Sequence, residues 1–164
     1  MDFLLQLDQS AFGQWVTGSS SLFAFPGILL FHTLGMTLVV GVIAAIDLRI
    51  LGFAPALPLA PMEKFLPVLW IGFAVNAVTG TMLLVADAST KLTNPDFGVK
   101  MVFIALALIN LKFIQKNVFR DPRIDKGPLS TNAKVLAATS LFLWFGAITA
   151  GRLLAYVGPV TGLE

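Results

Sequence analysis

Four times along the chain, polar positions give way to a long apolar run, at 26–46, 65–86, 97–119 and 133–156. Crossing about 30 Å of hydrocarbon takes about 20 helical residues, so each run predicts a transmembrane helix. The first starts with Pro26, which a first helical turn tolerates, and closes at Asp47-Leu48-Arg49. The second closes at Asp87. The third carries Lys100 and Lys112, one near each end, where lysine stems can reach the interface. The fourth has Arg152 near its end.

The segments between these runs follow other patterns. In "MDFLLQLDQSAFGQWVTGSSS" the apolar positions Phe3, Leu4, Leu7, Phe12, Trp15 and Val16 fall at helical spacing. Residues 1–21 therefore predict a short interfacial amphipathic helix and a Gly/Ser turn. The link "GFAPALPLAPMEKFLP" holds four prolines and predicts an extended, stiff connector instead of helix. The expected fold is all-α: a four-transmembrane-helix up-down bundle with an N-terminal interfacial helix, one domain over 1–164.

Composition agrees. Charged residues make up 12% of the chain, about half the usual share of a soluble domain, and mean hydropathy is +0.86. There is no cysteine, which excludes disulfides, thiolate metal sites and cysteine catalysis. No Lys or Arg precedes Arg49, so the first run lacks the basic flank of a signal peptide and predicts a retained helix.

Charge also predicts orientation. Of eleven Lys and Arg residues, eight lie on one side of a four-span chain: Arg49, Lys64, Lys112, Lys116, Arg120, Arg123, Lys126 and Lys134. The positive-inside rule places these in the cytoplasm. Both termini then face outward, into the periplasm if the membrane is a bacterial inner membrane. The clustering argues for a topology signal and a lipid-bilayer partner, not nucleic acid.

The only histidine, His32, lies about 9 Å below the outer edge of the first helix. An ionisable group at that depth usually faces the bundle and marks a site. It could equally be a neutral imidazole bonded to a serine, a threonine or a carbonyl. Lys100 and Arg152 are expected near the same outer end, with Asn76 and Gly80 beside them on the second helix. Gly72, Asn76 and Gly80 recur every four residues, and Ser140, Trp144, Ala147 and Gly151 fall on one face at helical spacing. Such stripes serve close helix packing or make room for a flat ligand. An imidazole below two cations suits haem b, with His32 as axial ligand to the iron and Lys100 and Arg152 answering the propionates. The sixth position would then fall to nothing, to Met36, Met82 or Met101, or to a second subunit. Met36 shares the helix face of His32 and cannot stand opposite it.

Two other polar positions have plainer expectations. Asp47 and Arg49 are expected to cap and anchor the inner end of the first helix. Asn110 is expected to bond across helices. No Asp or Glu is expected in the bundle interior, which argues against a proton-wire transporter. No phosphate loop, metalloprotease pair or nucleophile elbow occurs.

"HTLGMTLVVGVIAAIDLRILG", "GVKMVFIALALINLKF" and "LFLWFGAITAGRLLAY" resemble segments of small bacterial four-helix membrane proteins of unknown function. The early histidine, the later glycine and the arginine before the loop are also similar to HemJ-type protoporphyrinogen oxidases, as is the lysine opening helix three. The copper-resistance D membrane domain shares such features. The HemJ resemblance implies that His32 is a haem b ligand and Lys100 its partner. The chain departs from that pattern in "LINLKFIQK", which holds no histidine, and in its "GRLLAY" ending. The leading expectation is a haem b-binding, redox-active membrane protein. The alternatives are a non-catalytic accessory subunit of a larger membrane complex, or a copper-resistance-like metal permease. A homo-oligomer is compatible with each.

Overall fold

The computed structural model describes residues 2–156, so Met1 and residues 157–164 of the expected single domain lie outside the described residues. The chain is all-α. Two short helices come first, α1 (Asp2–Asp8) and α2 (Ala11–Gly18). Then follow α3 (Phe25–Leu51), α4 (Leu66–Val85), the short α5 (Ala88–Thr93), α6 (Pro95–Ile114) and α7 (Thr131–Tyr156). Among the described residues, four segments are long and apolar enough to cross a membrane: Phe25–Leu51, Ala60–Val85, Pro95–Phe119 and Thr131–Leu154.

Local chemistry sets the boundaries. Proline stands in the first turn of α3, α4 and α6, where its missing N–H is not needed. Asn94 caps α6, its side chain accepting from the Asp96 amide at 2.9 Å. Gly52 ends α3 with φ 106°, a left-handed conformation that favours glycine. α3 therefore runs five residues past the expected Ile46.

Three expectations change. The interfacial segment is two helices, because Ser10 breaks the first and caps the second, accepting from the Gly13 amide at 3.1 Å. The proline-rich connector is not wholly extended, since Ala60–Phe65 forms a 3-10 helix leading directly into α4. Pro61 sits in its first turn, where proline is harmless. The link after α4 contains α5, a helix too short to announce itself by periodicity. Its start is held by Asp8, whose carboxylate accepts from the Ala88 and Ser89 amides and from the Ser89 hydroxyl.

The long helices pack in the order α4–α3–α7–α6. α3 and α4 cross closely at Gly35 and Gly72. A Cβ on Gly35 would stand 2.8 Å from the Gly72 carbonyl oxygen and 2.9 Å from the Asn76 amide. Within lipid, where no hydrophobic force drives helix association, such approach is a main source of packing energy. α6 and α7 are joined by Asn110, which donates to the Leu136 carbonyl at 2.9 Å, the expected interhelical bond. The core, with Ile43, Ile46, Ile50, Leu69, Leu111 and Ile114 fully buried, fills the half of the bundle near the end of α3. At that end Asp125 accepts from the Leu59 and Ala60 amides, and Arg120 pairs with Glu63 at 3.5 Å, tying the two loops together. At the opposite end, α4 and α6 stand apart and leave a slot.

Candidate functional site

The slot is made of two adjoining pockets of about 180 and about 200 Å³. His32, Gly80, Leu84, Phe97 and Lys100 line both. α3 supplies the histidine, α4 the glycine, and α6 the phenylalanine and lysine. Lys91 and Gly151 line only the outer pocket, and Asn76 and Met101 only the inner one.

His32 is fixed from α4. Its Nδ1 lies 3.1 Å from the Asn76 carbonyl oxygen and 3.1 Å from the Thr79 hydroxyl. A carbonyl can only accept, so Nδ1 carries the hydrogen and donates. The Thr79 hydroxyl donates in turn to the Val75 carbonyl at 2.6 Å, leaving its own lone pairs to receive. Asn76 closes the loop, its Nδ2 donating to the His32 carbonyl at 2.8 Å. This assigns the neutral ring one tautomer, with the lone pair on Nε2. Nε2 has no hydrogen-bond partner among the described residues. Gly80 gives the ring its room: a Cβ there would stand 3.1 Å from His32 Cε1.

Lys100 is half-buried, its stem lying across α7 at Gly151. A Cβ on Gly151 would meet Lys100 Cδ and Cε at 3.5 Å and Nζ at 3.6 Å. Lys91 reaches the outer pocket from α5, donating to the Leu83 carbonyl at 2.8 Å and pairing with Asp87 at 3.6 Å. Asp8, through its hold on α5, positions Lys91 indirectly. Burial alone would raise the Asp8 pKa. The Ser89 hydroxyl, the Ala88 and Ser89 amides and the Lys91 charge outweigh that and hold it below the usual 3.8.

Of the five residues singled out in the sequence, four line the slot: His32, Lys100, Asn76 and Gly80. Arg152 lies at the same end on the exposed side of α7, next to Gly151, and lines neither pocket. Lys91 takes a place the sequence reading had not given it. The signal that could have found it is weak, a lysine four residues after Asp87 in a short polar link. The small-residue stripe of α4 divides its work: Gly72 serves helix crossing, and Gly80 makes room for the imidazole.

A further correction concerns Asp47. It is not an interfacial cap but wholly buried, at 0% exposure, against α7. Arg49 ties the end of α3 to the following link, donating to the Leu57 carbonyl and, at 3.2 Å, to that of Pro55. The bundle interior thus contains a carboxyl group after all.

No group of three or more His, Asp or Glu side chains able to hold a metal ion occurs among the described residues. A bare metal ion would find a single imidazole in the slot. An iron already held by a macrocycle needs from the protein only an axial ligand, and His32 Nε2 has the protonation state for it. No protein-family model, curated protein or solved structure matches this chain.

Proposed function

We propose that this chain is a haem b-binding membrane protein, with the haem seated in the slot between α4 and α6. The observation that carries this reading is the tether of His32. Imidazole ligands to metals commonly donate their second ring N–H to a carbonyl or carboxylate, which fixes the tautomer and strengthens the ligand. The bonds from Nδ1 to Asn76 and Thr79 have that form.

The surroundings support the same ligand. The slot is lined by Phe25, Leu29, Leu84 and Phe97, which suit a flat apolar ring. Lys91 and Lys100 supply cations for acidic arms, and Arg152 adds a third at the same end. Met101 lines the inner pocket together with His32, whereas Met36 and Met82 line neither pocket, so Met101 is the methionine that could contribute a second ligand. The resemblance to HemJ-type proteins points to the same pair, His32 and Lys100. Bound there, haem would supply one-electron redox chemistry. The positive-inside rule turns the slot toward the outer face, the periplasm in a bacterial inner membrane.

Titration of purified protein with hemin tests this reading. Wild type is expected to show a saturable Soret shift at one haem per chain. His32→Ala is expected to lose it while keeping its helical circular dichroism. Equal titrations in both proteins would remove His32 as the ligand.

A further inference from the structure

Asp47 stands apart from the slot, toward the other end of the bundle. Its carboxylate is wholly buried and neither oxygen has a hydrogen-bond partner. On α7, Ser140 is equally buried; its hydroxyl faces the Asp47 carboxyl and has no other partner. One turn further along the same face, Trp144 is buried and its Nε1–H is also without a partner. Three polar side chains at the α3–α7 contact, each more than nine-tenths buried, thus hold four unbonded polar atoms. Most buried polar atoms in native structures are bonded, so such a cluster calls for a missing component.

That component can be identified from charge. An ionised carboxylate in an apolar interior is strongly disfavoured unless a positive charge accompanies it. The cations on the neighbouring elements are engaged elsewhere or exposed. Arg49 on α3 is bonded to the Pro55 and Leu57 carbonyls, and Lys112 on α6 and Lys134 on α7 are exposed. Glu63 and Lys64 lie before α4 at the loop end, with Glu63 paired to Arg120. None of these charges forms an ion pair with Asp47.

We propose that Asp47 and Ser140 form a binding site for one exchangeable monovalent cation, a proton or an alkali ion, inside the membrane bundle. Asp47 supplies the neutralised oxygens and Ser140 the adjoining hydroxyl. The site is independent of the haem reading.

Infrared spectroscopy of the detergent-purified full chain tests the proposal. A protonated carboxyl absorbs above the amide bands, where an ionised one does not. In choline chloride, a single buried-carboxyl band is expected to disappear between about pH 4 and about pH 10 and to be absent from Asp47→Asn. If that variant fails to fold, Asp47→Glu should move the band, because the carboxyl is kept. Sodium or potassium chloride separates the two sources. A proton site ignores the salt, whereas an alkali-ion site loses the band about one pH unit lower for each tenfold rise in the competing ion. Absence of any Asp47 band would overturn the proposal. So would a band unchanged across pH and salt, which would leave Asp47 a fixed neutral acid with no exchangeable ligand.

Discussion

α3 carries two polar side chains inside the bundle, and they are treated in opposite ways. His32 and Asp47 are fifteen residues apart, about 22 Å along the helix. His32 is half-buried, bonded at Nδ1 to α4, and opens at Nε2 onto a slot. Asp47 is wholly buried, and neither of its carboxylate oxygens has a hydrogen-bond partner. Satisfied bonds at one nitrogen leave the other poised for a ligand. Unpartnered atoms around the carboxyl are the ground for the cation proposed there. A buried polar side chain in a membrane is informative less by its presence than by which of its atoms lack partners.

The strongest way to break this contrast is to fill the slot. Gly80→Val places branched carbon where even a Cβ stands 3.1 Å from the imidazole. Overpacking of this kind disfavours the folded or bound state by about 1–3 kcal/mol, so hemin affinity should fall about 5- to 150-fold. Unchanged affinity would move the haem elsewhere. Asp47→Leu probes the other end with the opposite sign. Removing an unbonded carboxyl should leave thermal stability in detergent unchanged or raised by about 1–3 kcal/mol. A large loss would mean that Asp47 has a partner within the fold.

Smaller effects sharpen the picture. Thr79→Val removes one of the two acceptors of His32 Nδ1 and should weaken hemin binding by about 1 kcal/mol, read in the same titration. Asn110→Leu loses the bond to Leu136 and should destabilise the bundle by about 0.6 kcal/mol, without affecting haem. The smallest effect is at Asp8. Its folded pKa lies below the unfolded value, so docking of α1 on α5 is favoured at neutral pH and lost as pH falls through the folded value, below 3.8. Limited proteolysis of the N-terminal arm should accelerate in that acid range, and Asp8→Asn should remove the pH dependence.

How much of this was legible in the sequence follows from the range of the interactions involved. The four long helices are written in local hydropathy, and their ends in proline and Gly52. Asn110 could be assigned a bond because an amide inside a membrane has few other options. His32, Gly80, Asn76 and Lys100 could be brought together because antiparallel helices place them at one depth. α5 and Lys91 could not, since a six-residue helix held by Asp8 depends on a contact 80 residues away in sequence. Asp47 was misplaced for a related reason. Hydropathy closed the first span before it, while the helix continues to Gly52 and turns that face toward Ser140. Rotation of a helix about its axis is a property of packing, and one chain's hydropathy records it poorly.

The most direct measurement is the visible spectrum of the full-length protein purified from haem-replete cells, first oxidised and then reduced with dithionite. The account predicts a Soret band and a sharpened alpha band on reduction, both absent from His32→Ala. A colourless wild-type protein that also fails to bind added hemin would contradict it, and would leave the tether of His32 as a packing contact between α3 and α4.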